Sequence, residues 1–515
     1  MDYEEVDPLS LRIAARSGKK SVNRLSSLIR ASLTLVWSSG RGLLVALTAL
    51  QFASAVALAG QVLAVQLVLA AVLGAAGSGQ VAGVLGPVLL LAVLTAVSAV
   101  TGSVTGQFQR LLGETVARAM WTRVLGVATG VGLRHFEAPE FYNRLNRVQT
   151  SAMTRPYAVT QGLLTLVGAF VASVSLAVTL FSLAPILLPL VIIGGIPVLL
   201  TSRRESRLEF DFAVKQTPLL RLRAYFTQLQ TGRDEAKEVR AFGLAGWLHE
   251  RFDRVYVEYL DNLRHHVKRR AVFSLIGQLG SAIVLGATLL VLVWLIGQGQ
   301  LGVAEAGAAI VAIRMLASQV QQMFQGVQSI FEAGLFLDDL NDFLALGRTA
   351  QEADTGVEAP DSFGTLRVES VGFRYPGSEA EALHAVNLEI REGEVVALVG
   401  ENGSGKTTLA KLIAGLYYPD DGRITWDGND TARFRPSSLR DQITLVFQDF
   451  VRYALTGTEN ISIGRVARPV DADAILAAAG AAGAADILSA LPRGFDTILS
   501  RLFAGGRDLS GGEWQ

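Results

Sequence analysis

Glu394-Val-Val-Ala-Leu-Val-Gly400 runs without a break into Glu-Asn-Gly-Ser-Gly-Lys-Thr-Thr408, and helix-forming residues follow from Leu409 to Leu416. A β-branched apolar strand, a Gly-rich loop and a helix thus stand in the order that a phosphate-binding loop requires. Gly403 and Gly405 let backbone N–H groups curl around phosphate oxygens, and the helix N-terminus adds a favourable dipole. The loop from Gly400 to Thr408, including Asn402 and Ser404, is therefore read as a nucleotide-phosphate cradle. Lys406 is expected to reach the β- and γ-phosphates and Thr407 to hold a divalent cation.

Working back from the loop, composition changes at 347–364, a stretch of Glu, Asp, Gly, Ala and Pro that reads as a linker before a soluble domain at 365–515. The sequence ahead of it has a different character. Half of the whole chain is hydrophobic and 18% is charged, a balance suited to a membrane. Gly42 to Gln109 contains no charged side chain, far longer than the ~20 residues that cross a bilayer. Gly, Ser and Gln cluster at 74–86 and Pro87 opens a new apolar run, which places a turn there. Spans are expected near 33–74, 86–108, 158–181, 184–201, 272–297 and 305–330.

Lys and Arg orient these spans. The bridges at 75–85, 181–184 and 298–304 contain none, whereas 110–155 and 203–270 are rich in them and are expected to be cytoplasmic. Residues 1–32 carry Arg12, Arg16, Lys19, Lys20, Arg24 and Arg30 with no apolar core, so they read as a cytoplasmic lead-in, not a signal peptide. Both cytoplasmic loops contain helix-forming stretches, notably 233–240 and 249–270, that extend the spans beyond the bilayer.

Lys plus Arg equals Asp plus Glu at 46 each, so no global basic field draws in nucleic acid. The absence of cysteine excludes disulfides, thiolate metal sites and cysteine nucleophiles.

Three further features surround the phosphate loop. Tyr375, in Gly372-Phe-Arg-Tyr-Pro376 about 25 residues upstream, could stack on adenine or could be a packed strand aromatic. Gln448 follows the apolar stretch 443–447, read as a strand, and could reach the metal or an attacking water. Leu509-Ser-Gly-Gly-Glu-Trp-Gln515 sets Ser510, Gly511 and Gly512 at a helix start, a second cradle for an anion.

These motifs, in this order and spacing behind six spans, resemble an ATP-binding cassette (ABC) exporter half-transporter. Phe136-Glu-Ala-Pro-Glu-Phe-Tyr142 and Ala236-Lys-Glu-Val-Arg-Ala-Phe-Gly243 resemble the segments around exporter coupling helices. The implied fold is an α-helical transmembrane domain with cytoplasmic extensions, then an α/β P-loop nucleotide-binding domain incomplete at its C-terminus. The resemblance implies ATP and Mg²⁺ as cofactors, with Lys406 and Gln448 catalytic and Thr407 and Gln448 at the metal. It implies a dimer in the cytoplasmic membrane in which the signature at 509–515 contacts ATP held by the other chain.

The implied activity is ATP-driven export of a small hydrophobic molecule, a lipid or a peptide. The alternative is an ATP-binding, non-hydrolysing partner in a heterodimeric transporter. The signature of the family usually has Gln where Glu513 stands. After Gln448 no apolar strand ends in Asp-Glu, and no histidine follows His384. The chain as given is therefore expected to be part of a longer protein and to bind ATP without hydrolysing it alone.

On the sixth span Arg314, Ser318, Gln321 or Gln322, Gln325 and Ser329 recur at helical spacing. Such a stripe avoids lipid, and Arg314 is expected to line a translocation pathway or to pair between helices.

Overall fold

Long apolar runs satisfy their backbone groups internally only as helices, and helices account for nearly all of the first part of the chain. The computed structural model describes residues 22–78, 82–138, 141, 144–145, 148–149, 155–183, 185–233, 235–466 and 470–515. The lead-in residues Arg12, Arg16, Lys19 and Lys20 lie outside the described residues. So do Pro139, Glu140 and Tyr142 of the first coupling-like segment and Asp234 in the second loop.

Six long helices are present among the described residues: α1 (Val22–Ser78), α2 (Ala82–Gly130), α4 (Arg155–Leu183), α5 (Leu187–Thr231), α7 (Ala245–Gly297) and α8 (Val303–Ala350). Two short ones sit between them, α3 (Leu133–Phe136) and α6 (Ala236–Ala241). By length and composition, stretches in α1, α2, α4, α7 and α8 could each cross a membrane. Helix α5 opens on the apolar run 187–200 before it becomes polar. The break read over 74–86 is much shorter here. Helix α1 continues to Ser78 and α2 begins at Ala82, with Pro87 inside its second turn.

Small and polar side chains set the close helix contacts, as expected where packing, not water exclusion, holds helices together. Gln51 Nε2 donates to Leu164 O at 2.8 Å and Ser175 Oγ to Ala55 O at 3.3 Å, joining α1 to α4. A Cβ on Gly162 would lie 2.9 Å from Ser329 Cβ, and one on Gly326 would lie 2.8 Å from Leu166 N, so α4 and α8 cross at two glycines. A buried layer of Leu176, Leu180, Leu292, Leu295, Ala309 and Ala312 fills the space between helices. Ile283, Leu290 and Val293 of α7 are 73%, 73% and 67% exposed, the outward apolar face that acyl chains would cover.

The second compact unit comprises Gly130–Pro139 and Ala350–Gln515. Its four-stranded antiparallel sheet has the order β2-β1-β3-β4, from β1 (Thr365–Phe373), β2 (Leu383–Arg391), β3 (Asp421–Trp426) and β4 (Asn429–Asp430). Leu366 and Val368 alternate inward and pair with Ile390 and Leu388 on one side and with Trp426 and Ile424 on the other. Against this face lies α9 (Lys406–Ile413), whose Leu409 and Leu412 join Val368, Phe373, Tyr417 and Trp426 in one core. The helices α10 (Pro436–Arg440), α11 (Gly457–Ser462), α12 (Ala472–Ala481), α13 (Ala485–Ser489) and α14 (Gly511–Trp514) follow.

Two sequence readings change here. Residues 394–400 and 443–447, both read as strands, join no ladder. Val395, Val399 and Val446 are 96%, 93% and 77% exposed. β-Branched residues favour a pleated surface only when a neighbouring strand supplies hydrogen bonds and packing, and none of the described residues does.

The linker reading at 347–364 also shifts. Helix α8 runs on to Ala350, and a Cβ on Gly347 would lie 2.3 Å from Val127 Cγ1, so this glycine marks a close helix contact and not a break. Beyond it the stretch is laid on α10. Asp354 accepts from Ser437 N and Oγ at 2.9 Å each, and Ser438 Oγ accepts from Ala359 N at 3.0 Å. The two Ser437 bonds hold the Asp354 carboxyl below its ordinary value.

Candidate nucleotide site

The phosphate loop owes its shape to two glycines in the left-handed region, Gly403 at φ +86° and Gly405 at φ +87°. Gly405 caps α9, and there is no room for any other residue. A Cβ would stand 2.5 Å from Leu383 Cδ2 and 2.7 Å from Ala382 O, so the start of β2 is the floor of the loop. Lys406 Nζ donates to Gly400 O at 2.8 Å, to Glu401 O at 2.7 Å and to Ser404 Oγ at 3.3 Å. Its acceptors are neutral, and among the described residues no carboxylate pairs with it. An ammonium held over a glycine loop at a helix N-terminus is a ready anion site. The adjacent threonines divide. Thr408 is 6% exposed with Oγ1 3.0 Å from Tyr375 Oη, while Thr407 is exposed and open to a ligand.

Tyr375 sits partly buried beside this loop. Its ring meets Phe373 and Tyr417 edge-on, with centroids 5.1 and 5.7 Å apart, and Lys411 Nζ lies 5.9 Å from its centre. The packed role read from the sequence is thus present, and the remaining exposed part of the ring is what a stacking role would use.

Gln448 is exposed and makes no hydrogen bond among the described residues. Ser510 caps α14, and its hydroxyl accepts from Glu513 N at 3.3 Å while Glu513 Oε2 accepts from Ser510 N at 2.6 Å. Glu513 therefore closes a reciprocal capping box, and those bonds hold its carboxyl below the usual range. The pattern Ser-x-x-Glu was legible in the sequence. No contact joins Ser510, Gly511 or Gly512 to the phosphate loop among the described residues.

Residues 383–515, which contain all of these features except Tyr375, match the family described as ABC transporter. The chain is also similar to the subtilin transport ATP-binding protein SpaT of Bacillus subtilis, at 26% identity over 81% of this chain and 67% of that protein. It is similar to the ATP-dependent lipid A-core flippase of Alkalilimnicola ehrlichii, at 35% identity over 54% of this chain and 46% of the flippase. It is similar as well to the leukotoxin translocation ATP-binding protein LktB of Mannheimia haemolytica, at 31% identity over 54% and 38%. Residues 383–515 are thus matched to the ABC transporter family.

ABC transporters bind ATP, and the loop fits it on the geometry above: an uncompensated Lys406 ammonium, a cradle that a Cβ at Gly405 would fill, and an open Thr407 hydroxyl. Among the described residues no three His, Asp or Glu side chains gather as a metal site. A divalent cation here would draw on neutral oxygens such as the Thr407 hydroxyl and the exposed Gln448 amide, together with oxygens of the nucleotide itself.

Sequence reasoning noticed the coupling-like segment at 136–142 but missed its chemistry. Gly130–Pro139 belongs to the same compact unit as the nucleotide loop. Arg134 pairs with Asp420 at 2.8 Å, and Lys411 Nζ lies 3.5 Å from Glu137 Oε1. Tyr417 donates its hydroxyl to Glu137. Tyr417 is 2% exposed, and burial with that bond pushes its phenol far above the ordinary range. A single ring cluster thus touches both the side chain proposed for adenine and the loop that precedes α4. Only folding brings Glu137 to Tyr417, 280 residues away.

The polar stripe of α8 meets different surroundings along its length. Gln321 and Gln325 line a cavity, Ser329 packs on Gly162, and Arg314 and Ser318 are exposed away from that cavity.

Proposed function

We propose that the chain is one half of an ATP-driven exporter in the cytoplasmic membrane, with its N-terminus and nucleotide unit on the cytoplasmic side. The observation that carries this reading is the Lys406 ammonium, held over a left-handed glycine loop with no counter-ion among the described residues, in a chain whose other unit is built of long apolar helices.

In this reading Gly400, Asn402, Gly403, Ser404 and Gly405 bind the phosphates through backbone and side-chain donors, and Lys406 neutralises the β- and γ-oxygens. Tyr375 orients the base, Thr407 offers an oxygen to Mg²⁺, and Gln448 orients a water or the metal. ATP when bound supplies the phosphoryl group whose transfer to water drives the cycle. Ser510, Gly511 and Gly512 face the nucleotide held by a second half-transporter, identical or not, so that occupancy favours closure of the pair. Phe242, 72% exposed beside α6, suits the second cytoplasmic loop to a partner's surface. Arg134 and Glu137 anchor the first loop to the nucleotide unit and relay closure toward the helices.

The relatives are named for subtilin, lipid A-core and leukotoxin, so cargo is proposed only as a small hydrophobic molecule, lipid or peptide. The test is ATP-dependent uptake of a cargo panel into inside-out vesicles holding the complete protein. Uptake of one class that disappears in Lys406→Ala supports the proposal. ATP-independent uptake, or uptake unchanged in that variant, overturns it.

A further inference from the structure

Where α5, α7 and α8 come together, a cavity of about 590 Å³ opens among residues that the nucleotide site does not use, a size within the ~300–1,000 Å³ of ligand pockets. Its charged wall consists of Glu205 and Glu209 on α5 and His266 and Arg270 on α7, while α8 contributes the amides of Gln321 and Gln325. All of the charged residues fall where the expected spans 184–201 and 272–297 give way to the cytoplasmic loop.

The ion pairing within this wall is unequal. Arg270 Nη1 donates to Glu209 Oε2 at 2.8 Å, and His266 Nε2 lies 2.9 Å from the same oxygen. His266 is held further by stacking on Phe212, with centroids 4.4 Å apart, and is 9% exposed. Both nitrogen groups are thus committed to Glu209. Among the described residues Glu205 has a single ionic contact, Arg270 Nε at 3.8 Å, which is beyond hydrogen-bond reach. One guanidinium therefore serves two carboxylates, and Glu205 is left facing the cavity without a close partner among the described residues. Burial raises its carboxyl above the ordinary value despite Arg270, the mark of a carboxylate short of compensation.

An anionic ligand would meet two carboxylates and an arginine already engaged. A cation would complete the pairing that the protein leaves unfinished. Gln321 and Gln325 make no hydrogen bond among the described residues and can accept from an ammonium without adding charge. Phe324 and Val267 add an apolar surface for the rest of the molecule.

We propose that this cavity is a binding subsite for the cationic amine of an amphipathic substrate, with Glu205 as its counter-ion. The inference rests on the export reading for its purpose, and it narrows the cargo from any amphiphile to one that carries an amine.

The test is equilibrium binding, without ATP, of a fluorescent alkylammonium to the full chain in lipid nanodiscs, with the alcohol and carboxylate of the same chain length as comparisons. The ammonium is expected to bind at least about tenfold more tightly than the alcohol, the return on one charge-assisted contact. Glu205→Gln should remove that preference, and Glu258→Gln, an exposed carboxylate of α7 outside the cavity, should preserve it. Gln325→Lys, which introduces a competing cation, should also weaken ammonium binding and serves if Glu205→Gln does not fold. Equal binding of ammonium and alcohol overturns the proposal. Tighter binding of the carboxylate overturns it in favour of Arg270. Because no ATP is present, failure here leaves the export reading standing, whereas normal ammonium binding with no ATP-driven uptake counts against export alone.

Discussion

The phosphate loop and the charged cavity are built in opposite ways. Gly400 to Thr408 is a run of consecutive residues whose shape follows from two positive-φ glycines and a helix start. The cavity joins Glu209 to His266 and Arg270 across 57 and 61 residues, and to α8 beyond them. In the loop, function and backbone conformation are the same fact. In the cavity the same residue types would mean nothing until three helices pack. A local site can therefore be damaged by one backbone change, whereas an assembled site is damaged by altering its charge balance.

The largest expected effect is in the loop. Lys406→Ala should weaken binding of a fluorescent ATP analogue about 10- to 100-fold, the worth of hydrogen bonds to a charged group, with unchanged circular dichroism. Full affinity in that variant would show that backbone N–H groups alone hold the nucleotide. Gly405→Ala forces φ +87° on a side chain that also meets Ala382 O. It should destabilise the nucleotide unit by about 1–3 kcal/mol in thermal unfolding. A neutral result would mean that β2 can retreat.

Between the two kinds of site stands the ring cluster, local at Tyr375 and assembled at Glu137. Glu137→Ala leaves the buried Tyr417 hydroxyl without its acceptor and should cost about 1–3 kcal/mol, while Tyr417→Phe removes that hydroxyl, leaves the part-exposed Glu137 to Lys411 and water, and should cost about 1 kcal/mol. Equal losses in calorimetry would indicate that water replaces the carboxylate.

Titration sharpens the comparison at the cavity. Glu205 has a raised carboxyl value in the folded chain. Its contribution to stability is complete below its ordinary value and fades as pH rises through the raised one. Ammonium binding runs the other way, because it needs the carboxylate, and should weaken as pH falls through that raised value. Glu209, His266 and Arg270 are the other charged groups facing the cavity among the described residues, with neutral glutamines on α8. Glu205→Gln should flatten the binding profile; a profile that persists assigns the titration to one of those neighbours. The smallest effect is expected at Glu513→Gln. The amide oxygen keeps the acceptor for Ser510 N, so hydrogen exchange at α14 should be unaltered, whereas Glu513→Ala should speed it.

Legibility in the sequence followed the same division. The glycine loop, the Ser510 cap and the apolar helices could be read because each depends on residues within a few positions of one another. The strands at 394–400 and 443–447 could not, because a strand exists only with its neighbour. The stretch 347–364 read as a linker, yet Gly347 packs on Val127 within a helix and 352–359 is bound by Arg440, Ser437 and Ser438. Tyr375 was left between stacking and packing, and its contacts with Phe373, Tyr417 and Thr408 account for the packed side.

By itself the sequence determined that this chain has apolar helices long enough for a bilayer and a loop made for phosphates, since hydrophobic run length and glycine spacing are properties of neighbouring residues. Only the tertiary structure decided which threonine of the loop is open, that Glu137 answers to Tyr417, and that Glu205 meets Arg270 at 3.8 Å, with no closer partner among the described residues. Those outcomes depend on distances between helices and strands far apart in the chain, and such distances are set by packing.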